Sequence, residues 1–196
     1  MTLADDYQLL IRELATFKSL SEEEEKLIKS SFKGVEVSKN ELLIRQGELV
    51  NHLYFVNSGY LRAFHIGMNT GEEYTISLIP PGKMVSSYEG FQKGVKAPES
   101  IQALSACELI QISKRDYDVL HERIKSWPEF CNSFYEEIIL SSGERLLDMQ
   151  RLSARDRYEK LVRKNPDLAM NIPVKYLASY LGVQPQSLSR IRAQRK

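Results

Sequence analysis

The stretch that decides the fold is ELLIRQGELVNHLYFVNSGYLRAFHI, residues 41–66. Short runs rich in Leu, Ile, Val, Tyr and Phe alternate here with polar residues and glycines. The same texture extends from about residue 34 to residue 112, and eight of the ten glycines fall between positions 34 and 94. Strands this short, at regular spacing, are typical of an antiparallel sandwich or roll. We expect hairpin turns at NSGY (57–60) and MNTG (68–71), because Asn and Gly accept the backbone angles that such turns require.

Helical patterns flank this β-rich region. Apolar residues three and four positions apart predict an N-terminal helix over residues 7–17, and Ser21 with Glu24 has the spacing of a capping box. The same serine–acid spacing recurs at residues 113–116 and 153–156 and predicts two further helix starts. After Pro128 the next proline is at position 166, so one long helix can form over residues 128–152. We therefore predict an α+β protein with a jelly-roll-like β-roll, a long helix and a helical C-terminal module.

The predicted long helix carries apolar residues at alternating steps of four and three, as in a coiled-coil seam. Apolar residues occupy its other faces as well, and such a helix needs more than one packing partner. We interpret these partners as the β-roll and a second copy of the chain; a monomer that buries the whole helix is the alternative. The residues predicted for the dimer seam are Tyr135, Ile138, Ser142, Arg145, Met149 and Leu152.

The net charge of +1 hides an uneven distribution. From residue 153 onward the chain has ten Lys or Arg and three Asp or Glu, a net charge of +7. The preceding residues have 17 basic and 23 acidic side chains, a net charge of −6. This separation indicates a basic module that faces a polyanion, although chance partition in a near-neutral protein is the alternative.

The segment VKYLASYLGVQPQSLSRIRAQRK, residues 174–196, has the spacing of a helix-turn-helix unit. Ala178 is small enough for a second helix to approach closely, and Gly182 supplies the positive φ of a tight turn. Pro185 is suited to the first position of the second helix, where a missing N–H costs little. A helix pair that binds another protein could share the apolar pattern, but the basic module and the polar second helix favour DNA.

Exposed amides, hydroxyls and guanidinium groups are the side chains that hydrogen-bond base edges and phosphates. We predict a recognition helix over about residues 184–195. The residues predicted to contact DNA are Lys175, Gln184, Gln186, Ser187, Ser189, Arg190, Arg192 and Arg195.

Several classes of protein are disfavoured. No apolar run approaches the roughly 20 residues of a membrane span, and MTLADDYQLL does not resemble a secretion signal, so we expect a cytoplasmic protein without membrane contact. Cys107 and Cys131 provide neither a disulfide framework nor metal-ligand spacing, and we expect no metal. No phosphate loop or nucleophile–base pattern supports an enzyme.

The order of these elements resembles the Crp/Fnr family of bacterial transcription regulators. The resemblance is strongest in ELLIRQGELVNHLYFVNSGYLRAF, similar to the roll signature of that family, and in YLASYLGVQPQSLSRI. It implies a sensor roll (residues 1–126), a dimerisation helix (127–152) and a DNA-binding domain (153–196). It further implies a homodimer on a palindromic double-stranded operator, a contact with RNA polymerase, and a small-molecule effector in the roll.

Two departures from the family pattern concern the roll cassette and the recognition helix. Cyclic-AMP-binding members have Gly-Glu and Arg-Ser pairs where this chain has Ser86-Ser87 and Ala97-Pro98. A buried phosphate without its arginine loses its main charge-assisted partner, and Lys96 could replace it only as a point charge, so no cyclic nucleotide or other cofactor is expected. Pro185 stands where those members have a base-contacting arginine. The candidate effector pocket comprises Ser86, Ser87, Tyr88, Lys96, Pro98 and Glu99.

Family members usually follow the recognition helix with a β-hairpin wing, and we expect most or all of it to be lacking here, with basic residues such as Arg192 making backbone contacts. The other interpretation of the whole chain is a sensor of a cyclic nucleotide or another small ligand that signals through protein contacts.

Overall fold

The computed structural model describes residues 7–194. Two helices, α1 (Gln8–Ala15) and α2 (Glu22–Ser31), precede the β-rich region. That region contains β1 (Phe32–Val37), β2 (Leu42–Ile44), β3 (His52–Ser58), β4 (Leu61–Ile66), β5 (Glu73–Ile79), β6 (Met84–Val85), α3 (Tyr88–Lys93), β7 (Ser100–Ala103) and β8 (Cys107–Ser113). The remaining elements are α4 (Lys114–Arg123), α5 (Trp127–Arg151), α6 (Ala154–Lys164), α7 (Pro166–Asn171), α8 (Val174–Leu181) and α9 (Pro185–Ala193).

The strands form two four-stranded sheets, in the orders β1-β8-β3-β6 and β2-β7-β4-β5. All their pairings are antiparallel. The inner faces of the sheets, together with α1, α4 and the start of α5, enclose one apolar core around Phe55, Leu109 and Trp127. The predicted α+β fold with an antiparallel roll is confirmed.

The two predicted hairpin turns have different outcomes. MNTG joins β4 to β5, which pair from Ile66 opposite Glu73, and Gly71 has φ +68, so this hairpin is confirmed. The NSGY prediction is wrong, because β3 and β4 belong to different sheets. Gly59, at φ +87, carries the chain from one sheet to the other, and a Cβ there would lie 2.4 Å from the Ala106 carbonyl oxygen. In sequence, a glycine turn between two paired strands has the same pattern as a glycine turn that connects strands of different sheets.

The predicted helix starts are confirmed. Ser21 and Glu24 form a reciprocal capping box on α2, whereas the hydroxyls of Ser113 and Ser153 accept from the backbone N–H three residues later. The long helix α5 begins at the Trp127–Pro128 pair, and Leu152 ends it in an extended conformation directly before the α6 cap.

The C-terminal helices α6–α9 share a second apolar core that also includes Leu78 and Leu104 of the roll. The outer face of the β2-β7-β4-β5 sheet therefore packs against the C-terminal domain. None of the helices within residues 7–194 combines the length and apolar character needed to cross a bilayer.

Candidate nucleic-acid interface

Helices α8 and α9 meet at a tight turn around Gly182. Gly182 has φ +68 and ends α8, and the Val183 N–H donates to the Ala178 carbonyl oxygen at 3.0 Å. A Cβ on Gly182 would lie 2.6 Å from the terminal methyl carbon of Met149 on α5. Glycine suits position 182 for two reasons: it accepts the positive φ of the turn, and it leaves room for the neighbouring Met149 side chain.

The apolar positions of this helix pair face each other. Leu177, Ala178, Leu181 and Leu188 are buried, and Pro185 is the first residue of α9, as predicted. These contacts fix the angle between the two helices, so the polar residues on the other face of α9 have one defined direction. The predicted helix-turn-helix geometry is present.

We expect Gly182→Ala to lower the free energy of unfolding by about 1–2 kcal/mol, because an L-residue at positive φ brings its Cβ close to its own backbone. Met149 can move its terminal methyl group, so backbone strain dominates the cost. Urea denaturation measures the effect. Gly182→Asn is the matched control and should lose less, because asparagine tolerates this conformation. Equal stability of the alanine variant and the wild type would contradict this account of the turn.

The polar side chains at the start of α9 are exposed to solvent. Gln184, Gln186, Ser187, Ser189 and Arg190 are all exposed, and the Ser189 hydroxyl donates to the Pro185 carbonyl oxygen at 2.9 Å. These residues lie along two turns of α9, from its N-cap residue Gln184 to Arg190. Such an arrangement can present amide, hydroxyl and guanidinium groups to base edges and phosphates.

The other predicted DNA contacts lie at the margins of this surface. Lys175 on α8 is exposed, with its ammonium 5.5 Å from the centre of the Tyr176 ring, and Arg192 is half-buried. Arg195 lies outside the described residues. Arg155 of α6 was not predicted, yet it donates to the Gln194 side chain at the end of α9, 39 positions further along the chain. Only the folded domain brings these two residues together.

Two arginines hold the C-terminal end of α8. Arg145 of α5 donates to the Tyr180 carbonyl oxygen at 3.0 Å, and Arg157 of α6 donates to the Leu181 carbonyl oxygen at 3.1 Å. Cations are favourable here because the last carbonyl groups of a helix carry partial negative charge. Burial lowers the pKa of Arg145, an effect that the charge of Arg157 increases. The turn of the helix pair is thus tied directly to the long helix.

Ion pairs add a second connection between α5 and α6. Glu144 pairs with Lys160 at 2.8 Å and with Lys164 at 2.6 Å, and Asp148 also accepts from Lys160. Hydrogen bonds from these two lysines lower the pKa of Glu144 to about 2. The pairs are partly exposed, so they contribute to orientation more than to stability.

The residues of the predicted dimer seam lie in different surroundings within the chain. Arg145 packs within its own protomer as described above, and Met149 contacts the Gly182 turn. Tyr135 is also half-buried, with its ring 4.3 Å from the Tyr88 ring, and Leu152 is the half-buried residue that ends α5. Of the predicted seam, Ile138 and Ser142 are exposed, and Met149 is 37% exposed.

An adjacent face of α5 carries the exposed apolar residues instead. Ile139 is 69% exposed and Leu146 is 60% exposed, and their separation of seven positions places them on one side of the helix. Gly143 lies between them, with open space where its Cβ would be. Leu140 and Leu147 flank this side and are 72% and 52% exposed. Among the described residues, no other part of the chain covers this side of α5.

The candidate effector pocket has little positive charge. The Ser86 hydroxyl donates to the His52 carbonyl oxygen at 2.9 Å, and Ser87 is buried. Glu99 is half-buried, and burial raises the pKa of its carboxyl, an effect that the Ser87 hydroxyl opposes. Lys96 is exposed and forms an isolated β-bridge with Leu49.

The other pocket residues connect the roll to helices. The Pro98 carbonyl oxygen lies 3.0 Å from Nδ1 of His65, and Tyr88 begins α3. Sequence reasoning missed Gln92, whose amide donates to the hydroxyl oxygens of Tyr117 at 3.4 Å and Tyr135 at 3.2 Å. These contacts join α3 to α4 and α5 across the end of the roll. Among residues 7–194, no group of three His, Cys, Asp or Glu side chains is arranged so that it could hold a metal ion.

Known proteins share the fold described above. The family model described as a cyclic nucleotide-binding domain matches residues 34–123, which span the roll and α4. FixK2 from Bradyrhizobium japonicum superposes with a TM-score of 0.73, covers 83% of each chain and is 14% identical. A protein from Eubacterium rectale, described as a transcriptional regulator of the Crp/Fnr family, has a TM-score of 0.68 and 16% identity and covers 88% of this chain and 82% of its own. The chain has the Crp/Fnr fold.

A sequence relative agrees with this assignment. The cyclic AMP receptor protein of Thermus thermophilus is 27% identical over 184 residues, which are 89% of this chain and 82% of that protein. The resemblance predicted from the roll signature and from the helix pair is therefore confirmed, and the similar structures include one described as a transcriptional regulator of the Crp/Fnr family.

Proposed function

We propose that this protein is a homodimeric, sequence-specific DNA-binding regulator of transcription. The observation that carries the proposal is the exposed polar face of α9, with Gln184 and Gln186 at the helix N-terminus and Arg190 one turn beyond Gln186. In such a unit the second helix enters the major groove, and basic residues of the module contact phosphates. Transcription regulation is also the role described for a protein with this fold. No catalytic role is proposed, and a bacterial regulator of this kind acts in the cytoplasm, where the chromosome lies.

The dimer is proposed to form through α5. Ile139, Gly143, Leu146 and Gln150 follow one another at steps of four, three and four, and all are exposed. Burial of this stripe against its symmetry-related copy removes the apolar side chains from water, and Gly143 allows close approach of the two helices. The same helix holds its own roll and its own helix pair on the opposite side. A twofold dimer of this kind presents two copies of α9, which fits a palindromic operator.

Selection from random double-stranded DNA tests the proposed function. We expect the full-length protein to enrich a palindrome with half-sites about one helical turn apart, and its affinity to fall steeply with salt. A contact with RNA polymerase, implied by family resemblance, then becomes testable on a promoter that contains this palindrome. Absence of any enriched sequence at low salt would overturn the proposal and favour a sensor that signals through protein contacts.

Cyclic AMP is not the proposed effector. The half-buried carboxyl of Glu99 lies beside Ser87, in the region where the cyclic-AMP-binding pattern has its arginine, and Lys96 is exposed. A phosphate placed there would meet a carboxylate without a guanidinium partner, which is unfavourable in a desolvated site. A different small molecule in the roll remains part of the proposal.

Isothermal titration of the full-length protein with cyclic AMP and with cyclic GMP should show no saturable binding at ligand concentrations up to about 1 mM. This limit corresponds to a binding free energy weaker than about 4 kcal/mol. The selected palindrome is the positive control, since it demonstrates that the same preparation is active. Saturable binding of either nucleotide in the micromolar range would contradict the charge argument at Glu99.

A further inference from the structure

The helix-turn-helix unit packs against the roll as well as against α6. Leu78 of β5 and Leu104, which follows β7, are buried in the same apolar core as α6–α9. Tyr60, beside β4, packs partly against this core, and its hydroxyl oxygen accepts from the Asn171 side chain at 3.1 Å. The outer face of one roll sheet and the C-terminal domain therefore form a continuous interface.

Arg62 lies at the centre of this interface and is 1% exposed. Its guanidinium lies between two aromatic rings, 3.9 Å from the centre of Phe64 on β4 and 3.9 Å from the centre of Tyr176 on α8. It pairs with the Glu73 carboxylate and donates to the Gln102 side-chain oxygen at 2.7 and 2.9 Å. A buried cation is tolerated only when it is partnered in this way, and stacking on aromatic faces adds to the attraction.

Helix α8 also covers the open edge of the sheet. β5 is the last strand of its sheet, so its outward backbone groups have no strand partner. The Thr75 N–H donates to the Ser179 hydroxyl oxygen at 2.9 Å, and Arg145 donates to the Thr75 carbonyl oxygen at 3.4 Å. Without α8 these groups would form an exposed strand edge. The roll therefore specifies both the position and the rotation of α8.

The interface uses α8 and leaves the polar face of α9 free. Tyr176 and Ser179 lie on α8, whereas Gln184, Gln186 and Arg190 belong to the second helix and are exposed. Attachment to the roll and presentation of the recognition helix are thus compatible in one conformation.

We propose that Arg62 is a positioning residue for DNA binding, which holds the helix-turn-helix unit against the roll through Tyr176 so that the two units of a dimer present their recognition helices at a set separation. The inference rests on the proposed function. A unit fixed in this way loses less orientational freedom when the second half-site is bound. Part of the entropic cost of DNA binding is then already incurred when the protein folds. A loosely attached unit would bind a single half-site with the same affinity as a fixed unit. It would gain less affinity from the second half-site.

The test compares Tyr176→Ala with Tyr176→Phe, which keeps the ring that contacts Arg62, and uses Arg62→Met as an independent variant on the roll side. Full-length proteins are measured on three DNAs: a single half-site, the selected palindrome, and palindromes with one base pair added or removed between the half-sites. We expect the alanine and methionine variants to keep half-site affinity within about twofold and to lose about tenfold on the palindrome. Their preference for the selected spacing should shrink, while Tyr176→Phe behaves like the wild type.

Three outcomes would overturn the inference. The first is an unchanged spacing preference in both Tyr176→Ala and Arg62→Met. The second is tighter palindrome binding by these variants, which would make the interface a restraint on DNA binding. The third is an equal loss on the half-site and the palindrome, which would mean that Tyr176 and Arg62 support folding alone. If the wild-type protein selects no palindrome, the proposed function fails, and this result is distinct from the other three.

Discussion

Leu146→Asp is expected to convert the dimer into a monomer and to weaken binding to the selected palindrome by at least about 100-fold. Leu146 is 60% exposed in the single chain and lies on the same side of α5 as Ile139. In the proposed dimer a carboxylate at this position would lose its hydration opposite an apolar surface, without a partner of opposite charge. Loss of the dimer removes the gain from linked half-sites, which is typically 10²–10⁴-fold.

Sedimentation velocity at micromolar concentration measures the mass, and fluorescence anisotropy measures the affinity. Leu146→Met is the matched control and should remain dimeric, because it conserves apolar volume. Half-site binding at low salt should survive in the aspartate variant, since Leu146 lies outside the α8–α9 pair. A dimeric Leu146→Asp protein would show that another surface joins the protomers.

Arg190→Ala is the second change with a large expected effect. Arg190 is exposed near the middle of α9, on the side that carries the other polar residues. A guanidinium that contacts a base or a phosphate contributes about 1–3 kcal/mol, so the affinity should fall roughly 5- to 150-fold. A base contact would also relax the preference at one position of each half-site, whereas a phosphate contact would weaken all sequences alike and reduce the salt dependence.

Arg123→Ala is the control for Arg190→Ala. Arg123 is exposed at the end of α4 in the roll, so this variant removes the same charge away from the recognition helix. We expect its affinity for the palindrome to stay within about twofold of the wild type, because exposed charges beyond a Debye length are largely screened. Equal losses in the two variants would indicate an effect of net charge and would contradict a contact made by Arg190.

Much of the candidate DNA-binding surface was predictable because its signals are local. Gly182 at the turn, Pro185 at the start of α9 and the buried Ala178 each act within the single helix pair of residues 174–193. The same holds for the capping box of Ser21 on α2. Arg155 was missed because its neighbour, the end of α9, is adjacent only after the helices α6–α9 have packed together.

The long helix illustrates where periodicity fails. Two faces of α5 carry residues at steps of three and four, one through Arg145 and Met149 and the other through Ile139 and Leu146. Periodicity identifies both faces as able to pack, but it does not say which of them meets the chain's own domains. The structure assigns the first face to the helix-turn-helix unit and leaves the second exposed.

The sequence by itself determined the elements of this protein: a glycine-rich antiparallel roll, one uninterrupted helix and a helix-turn-helix unit with a basic, polar second helix. Backbone angles, caps and short-range apolar spacing specify such elements, and these depend on neighbours along the chain. Only the tertiary structure decided that β3 and β4 lie in different sheets, which face of α5 stays free, and that Arg62 stacks on Tyr176. Arg62 and Tyr176 are more than a hundred positions apart, and their contact exists because the outer face of one sheet and the C-terminal helices bury their apolar side chains together.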